Sequence, residues 1–199
     1  MTDHEHDHDH EHDHGGDWRA ELEQMRTAAS HYYEHQFDWR GHGPPAGFDG
    51  PAYFAPAPEW RLVARLDRSA PSTGDEVEIA TSTGQLRHMT VAGELVFEAE
   101  GGEQRLIGFM SHGGHGHETL FVPFRDATSG SETYGAGRYL DLAYEADAEQ
   151  FELDFNLAYN PSCVYSPAYD CPFPPPANRL TIAVRAGEAL AAWAKAKTV

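Results

Sequence analysis

Lysine is nearly missing from this chain: of 14 basic residues only Lys195 and Lys197 are lysine and the rest are arginine, against 32 acids. The formal charge is −18 with histidine neutral. Seven acids and no base stand in the first seventeen residues, so a net −11 falls on the rest and the acidity belongs to the folded part as well. Such a field repels phosphate backbones and anionic lipid, so neither nucleic acid nor a membrane surface is expected as a partner. Cysteine is as scarce, at two residues, too few for a disulfide framework. No run of eighteen apolar residues exists, and the start has neither the basic n-region nor the apolar h-region of a secretory signal. The cytoplasm is the expected compartment, and its reducing poise argues against a permanent bridge. No internal repeat, P-loop, G-x-G-x-x-G or G-x-S-x-G occurs.

What is present suffices for a core: 199 residues, one domain's worth, at 40% hydrophobic and 12% aromatic. An acid excess with so little lysine predicts a surface kept hydrated in the concentrated salt of a halophilic cytoplasm. At molar ionic strength the screening length is only about 3 Å, which removes most of the self-repulsion.

Two regions are expected: a disordered His/Asp-rich tail over residues 1–17 and a single mainly-β domain over 18–199. The tail reads TDHEHDHDHEHDH, with His4, His6, His8, His10, His12 and His14 at every second place and no apolar residue to bury. Imidazoles interleaved with carboxylates suit Zn, Ni, Cu or Co in many interchangeable geometries, so the tail is either a divalent-metal buffer or an idle solubilising segment. After it, Asp17 is a helix cap, and Trp18, Leu22, Met25, Ala29 and Tyr32 form one apolar stripe of a helix running to about Trp39. His31, Glu34 and His35 on that helix match the H-x-x-E-H zinc-protease pattern, but the long helical second half with a third ligand is lacking. A solvated helix face is the expectation.

From Gly41 to Pro58 glycine and proline are too dense for a regular element. The period then changes to two. Leu62, Ala64 and Leu66 alternate with Val63, Arg65 and Asp67; Val77 and Ile79 alternate with glutamates; Met89, Val91, Gly93, Leu95 and Phe97 continue the pattern. Leu106 to Phe109 and Leu120 to Val122 are short apolar runs, and further strands are predicted near Arg138 to Tyr144, Phe151 to Leu157 and Leu180 to Val184. Short strands separated by turn residues indicate an antiparallel barrel-like or sandwich domain, flanked by the long N-terminal helix and a short C-terminal one at Glu188 to Lys197.

Two segments use residues that strands and turns do not need. The first runs from Phe124 through Arg125, Asp126, Thr128, Ser129-Gly130 and Tyr134 to Arg138 and Asp141; the second runs from Asp154 through Asn156, Asn160, Cys163 and Cys171 to Arg179. Charges beside apolar strand text must be paired or face a cleft. On one reading Asp126 and Thr128 shape the turn at Ser129-Gly130 while an arginine ties the next loop down. On the other, Arg125, Asp126, Thr128, Tyr134, Arg138, Asn156, Asn160 and Arg179 line a polar pocket for a small anionic molecule.

These segments fit the patterns PFRDxTSGxxTYGxGRYL, from Pro123 to Leu140, and DFNxAYNPxCxYxPxYxCPxPPxxNRLxxxxRAGE, from Asp154 to Glu188. In them the chain resembles the bacterial and archaeal family called domain of unknown function 1684. The resemblance implies no reaction. It departs from the family at His112-Gly-Gly-His115-Gly-His117, which reads as an inserted or altered loop, and in the tail and final helix.

Cys163 and Cys171 are eight apart in a proline-rich loop, which is no zinc-finger spacing. Three readings stand: zinc or another divalent metal completed by His112, His115 or His117; a redox-labile or structural pair; or inert packed thiols. The leading functional expectation is small-molecule binding, or an enzyme of unspecified reaction with a polar pocket. The alternatives are a divalent-metal-handling protein using the tail with Cys163 and Cys171, and a partner-binding module without chemistry.

Overall fold

Strand text with apolar residues at both parities makes a sheet that is covered on both faces, and that is what the computed structural model shows. It describes residues 14–112 and 118–195. The elements are α1 (His14–His35), β1 (Ala52–Tyr53), β2 (Arg61–Asp67), β3 (Glu76–Ala80), β4 (Leu86–Ala99), β5 (Gly102–His112), β6 (Glu118–Phe124), β7 (Arg138–Ala143), β8 (Gln150–Asp154), β9 (Glu188–Ala189) and α2 (Ala192–Lys195). Six strands lie in the order β7-β6-β5-β4-β2-β8, with β3 added beside β4. Every pairing is antiparallel, and the sheet curls into a nearly closed barrel. The expected mainly-β architecture is therefore present.

Closure depends on β4, whose first half pairs with β3 and whose second half pairs with β2. The strand bends at a bulge between Val91 and Gly93. Gly93 has φ +148, and a Cβ there would stand 2.8 Å from the Asp67 carbonyl oxygen. Only glycine admits that approach. Inside the barrel lie Leu66, Leu95, Leu106, Leu120, Val122, Phe124, Leu140 and Leu153, with Phe155 and Val184 closing one end. On the outer face of the same strands Val91, Phe109, Phe121 and Tyr139 form a second cluster with Ile79 and Cys171.

Three sequence expectations require correction. The apolar stripe of α1 does not run as spaced: Trp18, Leu22 and Tyr33 are buried, while Met25 and Tyr32 are 47% and 44% exposed. Beside Trp18 and Leu22 the helix docks through Arg26, which donates to the Phe54 carbonyl, and through Tyr33, stacked on Tyr165 at 4.1 Å. It starts at His14, before Asp17, and ends at His35, short of Trp39. Second, Leu180 to Val184 is not a strand. It crosses the barrel end, where Leu180 N–H donates to Arg125 and the Ile182 carbonyl accepts from Ala127. Third, the C-terminal helix is Ala192–Lys195 among the described residues; Glu188 belongs to β9, paired with β1, because its carboxylate turns inward to accept from Asn160 N–H and Tyr165 O–H.

Candidate functional site

The residues expected to line one polar pocket do not share one hollow. Asp126 Oδ1 accepts from Thr128 N–H at 2.7 Å and from the Thr128 hydroxyl at 2.5 Å, and Thr128 Oγ1 meets Thr133 Oγ1 at 2.8 Å. Asp126 Oδ2 receives Arg138 Nη2 at 2.7 Å. Arg138, 1% exposed, points into the barrel and also donates to the carbonyls of Val184, Ala186 and Glu188. Asp126 and Thr128 thus shape the turn at Ser129-Gly130, and Arg138 ties residues 184–188 to it.

The other named residues stand apart. Asn156 exchanges two hydrogen bonds with the backbone of Ala57 and donates to Asp154 Oδ1. Asn160 lies beside Glu188, donating from its backbone to Oε2 at 2.8 Å. Arg125 donates to the Ala136 carbonyl, and Arg179, joined to Arg125 through the backbone, is exposed. Tyr134 is half-buried beside Cys163. The cation that would have received an anion, Arg138, is sealed and fully paired with carboxylate and carbonyls.

A hollow lies on the outer barrel face. Odd-numbered side chains of β5, β6 and β7, and of β4 before its bulge, point outward, and the chain from Tyr159 to Pro172 folds over them, leaving a cavity of about 410 Å³. The loop is held by reciprocal backbone bonds between Tyr139 and Tyr159. Phe121, Tyr139 and Tyr159 meet edge to face at 4.7 and 5.7 Å. Tyr139 O–H donates to the Pro172 carbonyl, and Tyr159 O–H donates to Asp141 Oδ2, both at 2.5 Å. Burial pushes the Asp141 carboxyl up, against the lowering effect of the Tyr159 hydrogen bond. Arg87, at the rim, donates to the Asp170 carbonyl at 3.0 Å and stands 3.8 Å from its carboxylate. Hydrogen bonds from Thr81 and Thr83 hold that carboxyl below its ordinary value.

Cys171 forms part of the wall. Cys163, on the 3-10 turn Ser162–Val164, donates its amide to Cys171 Sγ at 3.3 Å, and the Cys171 amide donates to Ser82 Oγ at 3.0 Å. Both thiols are free. Hydrogen bonding from Cys171, opposed by burial and aided by Ser82 and Tyr134, lowers the Cys163 thiol to about 7. Its partner Cys171 is pushed up by that bond and by burial. Among the described residues no group of three His, Cys, Asp or Glu is placed to hold a metal ion. His31, Glu34 and His35 are exposed on α1. His4, His6, His8, His10, His12, His115 and His117 lie outside the described residues, as do the side chains of His14 and His112.

Sequence reasoning noticed Asp141 but passed over Tyr139, Tyr159 and Arg87. The signal was present: Phe121 and Tyr139 are large apolar residues at the parity opposite to the core, which requires something to cover them.

Fold and cavity define an antiparallel barrel-like protein with a covered outer face. The family described as Protein of unknown function (DUF1684) matches residues 46–189, and the chain belongs to it. A solved structure, the solution NMR structure of the uncharacterized protein from gene locus rrnAC0354 of Haloarcula marismortui, is 34% identical. It covers 88% of this chain and 95% of its own, with a TM-score of 0.64. No curated protein matches the chain.

Proposed function

We propose that the protein binds a small planar molecule carrying a hydrogen-bond donor in the cavity between the outer faces of β4 to β7 and the loop 159–172, as a binding protein or as an enzyme acting on that molecule. The observation that carries this reading is the hydrogen-bonded Asp141–Tyr159 pair set among the rings of Phe121, Tyr139 and Tyr169 in a cavity of about 410 Å³. Aromatic walls with a few convergent polar groups suit small ligands. Tyr159 occupies only one carboxylate oxygen, so Asp141 Oδ1 is left to accept from a ligand. Arg87 is balanced by Asp170, and the remaining charge is that of Asp141, which favours a neutral or cationic donor over an anion.

The test is ligand-observed NMR with small heteroaromatic amines, adenine and aminopyridines among them. Binding is expected to vanish when Thr119→Trp fills the cavity. It is expected to weaken about tenfold or more in Asp141→Asn, which removes a charge-assisted hydrogen bond worth about 1.5–3 kcal/mol. Probes that bind the Trp variant as well as the wild type sink the reading. The acid-rich, lysine-poor composition further supports a working environment of concentrated salt, in keeping with the Haloarcula relative.

A further inference from the structure

We propose that Cys163 and Cys171 are a dithiol–disulfide couple that exchanges with low-molecular-weight disulfides entering through the outer-face cavity. The inference goes beyond ligand binding and does not require that a planar molecule bind in the cavity.

Four observations carry it. The two thiols come from opposite ends of one loop, and the Cys163 amide already reaches the Cys171 sulfur at 3.3 Å. The loop is anchored beside Cys171: Ser82 Oγ accepts from the Cys171 amide and donates to the Tyr169 carbonyl, and Thr83 binds the Asp170 carboxylate. The pair is therefore held in register, and its encounter costs little loop entropy. The Cys163 sulfur stands beside the hydrogen-bonding side chains of Cys171 and Tyr134, which favour its thiolate, the form that attacks disulfides. Finally, Cys171 lines the cavity and Cys163 is half-buried, so a small disulfide has a route to the pair that a macromolecule lacks.

The chemistry balances without a metal. The Cys163 thiolate attacks one sulfur of a disulfide RSSR; that S–S bond breaks, a Cys163–SR mixed disulfide forms, and RS⁻ departs, taking up the proton that Cys171 gives up. Cys171 Sγ then attacks Cys163 Sγ, closing the intramolecular disulfide and expelling a second RS⁻, which is protonated by water. Two electrons leave the protein pair, and one RSSR becomes two RSH.

The test uses the reduced full chain in native buffer with 2-hydroxyethyl disulfide, followed by intact mass and released thiol. The expected result is a loss of two hydrogens, two equivalents of mercaptoethanol, and a closed disulfide within the peptide spanning residues 163–171. Cys171→Ser is expected to stop at the mixed disulfide on Cys163, and Cys163→Ser to abolish closure. Tyr134→Phe is expected to slow the first step about tenfold, as loss of one hydrogen bond to a charged sulfur would. Its fold is checked by urea midpoint. Two separate mixed disulfides on the wild type, or reaction of either cysteine only after denaturation, overturns the proposal. Thr119→Trp, which fills the cavity, is expected to slow the exchange, and undiminished exchange in it overturns the entry route. Exchange by a wild-type protein that binds none of the heteroaromatic probes separates the proposal from the binding reading.

Discussion

Two buried ionisable residues show how the same chemistry serves different ends. Arg138 keeps its charge by surrounding it with Asp126 and three carbonyls, and its guanidinium carbon lies 5.3 Å from the centre of the Phe124 ring. Glu188 makes no ion pair among the described residues, and Arg138 acts on it only at longer range. It accepts from Asn160 N–H and Tyr165 O–H, yet burial outweighs those bonds and pushes its carboxyl from 4.5 up to about 7. A carboxyl whose pKa is higher in the folded state binds its proton more tightly there. Its contribution to stability is fully present below the unfolded value near 4.5 and is lost as pH rises through about 7. Glu188→Gln, neutral at every pH and still able to accept, is therefore expected to gain stability relative to wild type as pH is raised from about 5 to about 8. Urea midpoints across that window measure the difference; a difference independent of pH would show that the carboxyl titrates normally. Glu188 itself was read from the sequence as the opening acid of a helix, because a glutamate before an alanine-rich stretch looks like dipole compensation. Nothing in the local text reveals that Asn160 and Tyr165, more than twenty residues away, will claim it.

At the scale of elements, legibility followed the hydrogen-bond partner. Strands that pair with sequence neighbours, such as β4 with β5 and β5 with β6, were visible as period-two text bounded by turns. Leu180 to Val184 carries the same apolar letters but finds its backbone partners in Arg125, Ala127 and the Arg138 side chain, so the pattern misleads. Helix α1 was legible as a helix and only partly in its facing: Trp18 and Leu22 of the stripe are buried, but Met25 and Tyr32 are exposed and Arg26 and Tyr33 make the further contacts. The glycine within β4 was read only as one place in an alternation, yet it permits the bend that shares β4 between β3 and β2. Gly93→Ala would drive a methyl toward the Asp67 carbonyl, a backbone atom that cannot step aside, at a φ of +148. The expected loss is about 1–3 kcal/mol. Thermal unfolding reads it, and because Arg87 and Met89 of the same strand line the outer-face cavity, probe binding should weaken with it. An alanine variant as stable as the wild type would mean that β4 closes the barrel without the bend.

For the molecule as a whole the controlling quantity is the charge of −18. Exposed ion pairs exist, Arg61–Glu152 at 2.7 Å, Arg105–Glu94 at 3.0 Å and Arg185–Glu132 at 2.8 Å, and salt weakens each of them. Such pairs are worth only about 0–1 kcal/mol. Against them stand carboxylates that face one another: Glu98 lies directly opposite Glu103 in the β4–β5 ladder, and Glu145, Asp147 and Glu149 crowd one exposed turn. Like charges across a ladder destabilise it, and their repulsion is screened as the Debye length falls from about 10 Å at 0.1 M to about 3 Å at 1 M. With 32 acids against 14 bases, relief of repulsion outweighs loss of pairing. The melting temperature is expected to rise steadily between about 0.1 and 2 M KCl, well beyond the range where ordinary pairs are already screened. Salt also strengthens apolar burial, so the slope alone does not assign the cause. A variant carrying Glu98→Gln, Glu145→Gln and Asp147→Asn keeps the core and removes three of the repelling charges. It is expected to melt higher than the wild type in dilute buffer and to show a shallower rise with KCl. Equal slopes for the two proteins would place the salt effect in the core rather than in the surface charge.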